Sequence, residues 1–385
     1  MAIDGKSVGL ALSGGGYRAS LFGLGTLWRL NDAGLLGQID RITSVSGGSI
    51  LAGVLAHGWA RLGFSQGRAA NFVPVVAEPV QKFCARTIDV SLGLKGLLNP
   101  FKSAGDYLID RYRTDLFGNT TLKDLPPPGP GVPTFLFYAT NMQTGRSFRF
   151  QQDKVADYKL GESSRLVVPL ATAVAASSAF PPLFSPIVLD TDPSAWIETP
   201  RGSDNQAQTL ADPDKLQRLR QRIVLADGGI YDNMGLQRLV GDSSDKADIV
   251  LVSDAGAPFT LEVDPHEDYL HQLGRVRDIL IDQTRALRKR WLIEEFKAER
   301  RKGAYWGVAT DIDKYNAPEP LAHNTEENQA LDEVPTRLSG FEPELQARLI
   351  NWGYALCDAA LRSPGTRAGL PVAPGARLPL PQSGS

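Results

Sequence analysis

Residues 7–18 read Ser7-Val8-Gly9-Leu10-Ala11-Leu12-Ser13-Gly14-Gly15-Gly16-Tyr17-Arg18. A short, mostly apolar run of strand length is broken by three consecutive glycines. Over residues 18–31 the apolar side chains Leu21, Leu24, Leu27 and Trp28 then recur at helical spacing. The same order of strand, turn and helix follows at once. Residues 39–45 are strand-like, and residues 48–62 carry Ile50, Leu51, Val54 and Leu55 on one helical face. Two such units within sixty residues predict a parallel sheet covered by helices, the α/β class.

Downstream, residues 69–117 have a helical pattern interrupted by Pro74, Pro79 and Pro100, and the proline-rich loop 125–133 ends it. Neighbouring strands are expected at 133–140 and 146–151, and later ones at 187–190, 222–226 and 249–252. The last two have the continuous apolar run of buried parallel strands. Polar residues 200–220 read as a surface insertion with a short helix. Residues 266–302 predict one long helix stopped by Gly303, and 342–361 another. No repeat and no shift in composition precede Ser363. Residues 1–362 are therefore expected to form a single domain, and the proline- and glycine-rich residues 363–385 a disordered tail.

Of the 385 residues, 41 are Lys or Arg and 43 are Asp or Glu, a net charge of -2 that excludes a nucleic-acid binder driven by overall charge. Cys84 and Cys357 lie far apart with no CxxC pairing, so a zinc cluster or a disulfide framework is not expected and a reduced, cytoplasmic setting is. Residues 1–7 have no targeting pattern. The longest uncharged run, 166–189, contains Pro169, Pro181, Pro182 and Pro186, too many for a transmembrane helix.

Three glycines between a strand and a helix let successive backbone N–H groups converge on an anion at the helix N-terminus, although a plain tight turn is the simpler reading. Residues 14–19 also satisfy a G-x-G-x-x-A dinucleotide fingerprint. The acidic residue expected at the end of the second strand is missing, because Asp40 falls at its start and Ser46 follows its end. A Walker A reading of Gly5-Lys6-Ser7 fails, since its first glycine would precede Met1.

Thr43-Ser44-Val45-Ser46-Gly47-Gly48-Ser49 joins the second strand to the second helix. Ser46 stands on that sharp turn, its Oγ at the sheet edge and the positive helix end beneath it, which makes a nucleophile elbow. Ser44 replaces the first glycine of G-x-S-x-G and Gly48 keeps the second; a simple helix cap is the alternative. A base is needed, and of four histidines His57 lies eleven residues along the same helix, about 16 Å of rise away. His266, His271 and His323 sit on a charged helix start or a polar loop, so a Ser-His-Asp triad is poorly supported. A carboxylate in direct contact serves if its surroundings raise its basicity. Asp227 and Asp254 both end apolar strands, where α/β sites assemble. Asp227 is favoured by Gly228-Gly229 and the Asp232-Asn233 turn that follow it.

Four stretches together resemble the patatin-like phospholipases: residues 13–18, residues 44–48, residues 175–184 (AASSAFPPLF), and Asp227-Gly228-Gly229 with Asn233 after them. The resemblance implies a three-layer α/β/α fold with a mostly parallel central sheet. It implies a Ser-Asp dyad hydrolase that acts through an acyl-enzyme on phospholipid or other acyl-ester lipids. On that basis Ser46 is the nucleophile, Asp227 its base, and the backbone N–H groups of Gly14, Gly15 and Gly16 form the oxyanion hole. Arg18 matches the basic residue after the glycines. Ser13 stands where the family often has Asp, Ala19 where it often has Gly, and Ser44 is a third departure. Beyond about residue 240 no family motif is found. No cofactor or metal site is expected. A nucleotide-binding protein using the same glycine loop and a non-catalytic lipid-binding module are the rival readings.

One more segment bears on lipid. Between residues 285 and 302 there are eight basic residues, among them Arg285, Arg288, Lys289 and Arg300, against three acidic ones. Such a helix predicts peripheral contact with an anionic membrane, or else a solvated outer face on a packed helix.

Overall fold

The computed structural model describes residues 5–88, 102–198, 212–241, 246–256, 258–266, 268–366, 368–372 and 376–381. The strands of its main sheet are β1 (Val8–Leu12), β2 (Arg41–Val45), β3 (Thr134–Asn141), β4 (Arg146–Phe150), β5 (Val155–Asp157), β6 (Gly161–Ser163), β7 (Ile187–Asp190), β8 (Arg222–Asp227), β9 (Ile249–Asp254) and β10 (Lys302–Gly307). The helices that matter for the site are α1 (Gly16–Asp32), α2 (Gly47–Gly58), α3 (Leu170–Ser178), α4 (Tyr269–Lys297) and α5 (Pro343–Arg362).

Alternate residues of β1 and β9 feed two different cores. Leu10, Leu12, Ile249 and Leu251 pack with α1, α2 and α5, whereas Ala11, Val250 and Val252 join Leu292 and Phe296 of α4 on the other face. A strand apolar on both faces must be covered on both, and this is the physical basis of the three-layer arrangement. The central sheet is mostly parallel: β10, β9, β1, β2 and β3 lie side by side in that order, all in one direction. Beyond β3, the strands β4, β5 and β6 extend the sheet as an antiparallel meander.

Strand β8 differs from its sequence reading. It is antiparallel, not parallel, and pairs with β3 through Asp227 opposite Ala139. The same edge of β3 also carries β2, through Val45 opposite Tyr138. Strands β2 and β8 thus lie end to end along β3 and run toward each other, so their carboxyl ends meet. Continuous apolar character reports burial on both faces and says nothing of direction.

The long helix expected over 266–302 is α4, shorter at both ends, and its last residue, Lys302, opens a strand the sequence reading missed. β10 pairs with β9 in parallel from Ile249 opposite Lys302 to Asp254 opposite Gly307. Glu299 takes a φ of 57° just before it, which ends the helical path. Within 363–385, the presumed disordered tail, Ala368 is buried and Leu380 exchanges two hydrogen bonds with Asn351 of α5. Leu378 and Leu380 give that stretch an apolar edge which packs on the main core. The expected insertion at 200–220 contains a helix at Pro213–Gln221, while residues 199–211, and likewise 89–101 of the earlier helical region, lie outside the described residues. No helix of the described residues is long and apolar enough to cross a membrane.

Candidate active site

Ser46 lies between β2 and α2 with φ 50° and ψ -119°, a conformation that residues with a Cβ rarely adopt. Three contacts hold it there. Its N–H donates to Ser177 Oγ at 3.0 Å, and its carbonyl accepts from Ser49 and Ile50, at 2.8 and 3.1 Å, in the first turn of α2. Gly47 is required by close approach, since a Cβ there would stand 1.8 Å from the Gly16 carbonyl oxygen. The elbow and the glycine loop are therefore packed backbone against backbone.

The Ser46 side chain stands within hydrogen-bonding reach of the carboxyl of Asp227. Asp227 is buried at the end of β8 and also accepts from the Gly229 N–H at 2.7 Å. Burial raises its carboxyl to about 7, against the opposing pull of the Ser46 and Gly229 hydrogen bonds. A carboxyl raised this far can serve as a base near neutral pH. The strand end is fixed by α3, whose carboxyl-terminal residues accept from it: Asp227 N–H bonds Ala179 O at 3.0 Å and Gly228 N–H bonds Ser177 O at 3.1 Å. Ser177 Oγ also donates to Tyr138 O at 2.6 Å and meets Ser49 Oγ at 2.8 Å. One buried serine thus ties together the elbow, β3 and the strand that carries Asp227. Its role was not read from the sequence, although it lies within the AASSAFPPLF stretch.

The glycine loop contributes unequally. Gly14 N–H is engaged by the carbonyl of Asn233 at 2.9 Å, so it is not available to an oxyanion. Gly15, at φ 144°, and Gly16 line the same cavity as Ser46 and Asp227, and no hydrogen bond of the described residues engages their amides. A side chain on Gly15 would stand 2.6 Å from the Ala255 carbonyl oxygen. Arg18 does not line that cavity. It is fully buried behind the loop, where Nε and Nη2 donate to Ala255 O at 3.1 and 2.8 Å and Nη1 to the carbonyls of Val334 and Asp332. Burial, with Arg285 nearby, lowers its guanidinium to about 10. Arg18 is a positioning residue that staples the loop after β9 to residues 332–334.

The cavity measures about 450 Å³. Phe180, Leu183, Phe184, Phe259, Ile281 and Leu338 give it an apolar wall, and Arg275, Arg277 and Arg285 of α4 line another part. Arg285 was read only as part of a basic run. In the structure its Nε donates to Asp254 Oδ2 at 3.0 Å. Asp254, the other strand-end aspartate, is fully buried and also accepts from Tyr305 OH at 2.8 Å and Gly256 N–H at 2.9 Å. Burial alone would raise its carboxyl, but Arg285, the Gly256 amide and the Tyr305 hydroxyl hold it below the ordinary carboxylate range. It is a structural anion and does not line the cavity. Part of the basic run expected on this helix is turned inward, where Arg288 donates to Tyr231 O at 2.8 Å and Lys289 lies 4.7 Å from the Tyr305 ring centre, while Arg290, Lys297 and Arg300 are exposed. None of the four histidines lines the cavity. His57 contacts Thr120, His271 contacts Asp268 and His323 contacts Asp313.

The family model described as patatin-like phospholipase matches residues 10–240. Among curated proteins, the putative meiotic phospholipase SPO1 of Saccharomyces cerevisiae is 48% identical over 46 residues, which cover 12% of this chain and 7% of that protein. Among solved structures, human GIVD cytosolic phospholipase A2 aligns with a TM-score of 0.50 at 13% identity over 93% of this chain and 60% of that one. The same human protein, in complex with a methyl gamma-linolenyl fluorophosphonate inhibitor and terbium chloride, aligns with a TM-score of 0.50 at 14% identity, over 92% of this chain and 58% of that one. The chain spans less than two thirds of each of these relatives, and the likeness to the human structures is one of fold. The family match itself runs through the glycine loop, the elbow, α3 and β8. With Ser46 and Asp227 both inside that span, the chain belongs to the patatin-like phospholipase family.

Proposed function

We propose that the protein is a lipid acyl hydrolase of phospholipase A or lysophospholipase type, in which Ser46 and Asp227 act as a catalytic dyad. One observation carries this reading. A strained elbow serine stands within hydrogen-bonding reach of a buried carboxyl that burial raises to about 7, and both line a cavity with an apolar wall. Asp227 takes the Ser46 proton as Oγ bonds to the substrate carbonyl carbon, and the amides of Gly15 and Gly16 hold the oxyanion that forms. When the ester C–O bond breaks, Asp227 passes that proton to the departing alcohol. Water then repeats the sequence on the acyl-enzyme, giving a fatty acid and restoring Ser46. The apolar wall formed by Phe180, Phe184, Phe259 and Leu338 suits an acyl chain.

A fluorophosphonate tests the reading directly. Stoichiometric labelling of Ser46, lost in Ser46→Ala together with at least about 10³-fold of ester hydrolysis, is the expected result. Labelling elsewhere, or a Ser46→Ala variant that keeps a tenth of its turnover, rules the dyad out.

A further inference from the structure

From Tyr269 to Leu287, α4 has its polarity reversed. A helix packed on a sheet normally buries its apolar stripe and shows charge to water. Here Arg275, Arg277, Asp278, Asp282 and Arg285 line the cavity, with Ile281 the one apolar side chain among them. Tyr269, Leu273, Val276, Leu280, Leu287 and Trp291, at spacings of four, three, four, seven and four residues, are all exposed. Tyr269 is 73% exposed and Leu280 62%. Among the described residues, the buried apolar side chains of α4 are Leu292 and Phe296, which anchor its carboxyl-terminal part.

The neighbouring segment has the same character. Pro258, Phe259, Thr260 and Glu262 form part of the cavity wall, and their segment is held to α4 by Arg275, whose guanidinium lies 4.0 Å from the Phe259 ring centre and donates to Thr260 O at 2.8 Å. On this segment Leu261 is 88% exposed, and just past it Val263 is 97% exposed. Exposed apolar surface of this kind marks an interaction site.

We propose that the outer face of α4, with Leu261 and Val263, is the surface by which this protein seats on a lipid layer, through apolar insertion and not mainly through charge. The choice of occupant rests on the lipid-ester reading of the cavity. The inner sides of these two segments line that cavity, so a layer seated on their outer sides lies at the cavity rim. The order along the helix agrees: the apolar stripe leads to exposed Trp291, beside exposed Arg290, whose guanidinium meets no carboxylate among the described residues. An aromatic and a cation at the edge of an apolar stripe match the layering of a membrane interface. Charge is secondary, because Lys297 and Arg300 are paired with Glu294 and Glu295.

The test compares wild type with a Leu261→Ser, Val263→Ser, Val276→Ser, Leu280→Ser variant, none of whose positions lines the cavity. Co-sedimentation uses vesicles of phosphatidylcholine, with and without phosphatidylglycerol, at low and high salt. We expect the variant to bind at least about tenfold more weakly in every condition and to hydrolyse a short soluble ester as wild type does. A second measurement does not depend on loss. Cys84 and Cys357 are buried, so Val263→Cys accepts an environment-sensitive thiol label selectively, and its emission should shift to the blue on vesicles. No vesicle binding by wild type, binding abolished by salt alone, or a label that stays in water overturns the proposal. So does a wild-type dimer that the variant dissolves while vesicle binding is unchanged, which would make a second copy the occupant. Vesicle binding by Ser46→Ala separates the two proposals, because docking needs no turnover: an inactive wild type that binds refutes the hydrolase and leaves the docking surface standing.

Discussion

Ser46 holds a backbone conformation that costs on the order of 1–3 kcal/mol, and the residues that restrain it are those that aim its hydroxyl at Asp227. Asp227 is costly in a related way. Its carboxyl is raised to about 7 by burial, so between the unfolded value near 4 and about 7 the folded protein binds more protons than the unfolded chain. The stability associated with this group is thus fully present below that unfolded value and is lost as pH rises through about 7. The ionised form is the one the proposed chemistry needs. Asp227→Asn should therefore raise the melting temperature at pH 8, by the equivalent of about 1–3 kcal/mol, while lowering turnover at least about 10³-fold. At pH 4 the gain in stability should vanish. For wild type, kcat/KM on a soluble ester should climb with pH through about 7. A flat profile from pH 5 to 9 would contradict a carboxylate base.

At the scale of elements, Ser46 and Asp227 meet because β2 and β8 approach head to head along β3 and because α3 locks that junction. Ser177 is the point of contact, with its hydroxyl shared among Ser46 N–H, Ser49 Oγ and Tyr138 O. Ser177→Ala leaves the Ser46 amide and the Tyr138 carbonyl without this partner in a buried place, a cost of about 1–3 kcal/mol. We expect kcat to fall by about ten- to a hundredfold with KM little changed, since a misplaced elbow harms the transition state more than substrate binding. Urea unfolding and steady-state kinetics on one preparation check both. An unchanged kcat would show that α2 alone fixes the elbow.

At the scale of the whole molecule, residues distant in sequence close the back of the site. The turn after β9 is tied to Arg18 of α1 through Ala255 O and to Ser13 through Ala255 N–H, while Asp254 joins Arg285 of α4 to Tyr305 of β10. Removing one charge of a buried pair strands the other. Asp254→Asn should lower stability by about 3–5 kcal/mol, seen in thermal unfolding, with turnover on a soluble ester at low temperature kept within about tenfold. A loss of turnover as deep as that of Asp227→Asn, in a protein still folded, would move Asp254 into the chemistry.

What the sequence determined alone is what depends on neighbours along the chain. The strand before Ser13, the helix after it, the elbow at Ser46 and the two strand-end aspartates all follow from local periodicity and from glycines where a turn or a close approach needs them. Local pattern also narrowed the bases, because His57 is too far along its own helix. It could not show that β8 runs against β3, since an apolar strand has the same composition in either direction. Nor could it show that Gly14 spends its amide on Asn233, that Lys302 to Gly307 continue the sheet, or that Arg285 turns into the cavity while Leu280 turns out. Those outcomes depend on which surfaces meet across long stretches of chain, and although the glycines after Asp227 favoured it over Asp254, the partners of each aspartate were among them. Both are buried at strand ends, but only Asp227 was brought to Ser46, while Arg285 and Tyr305 claimed Asp254.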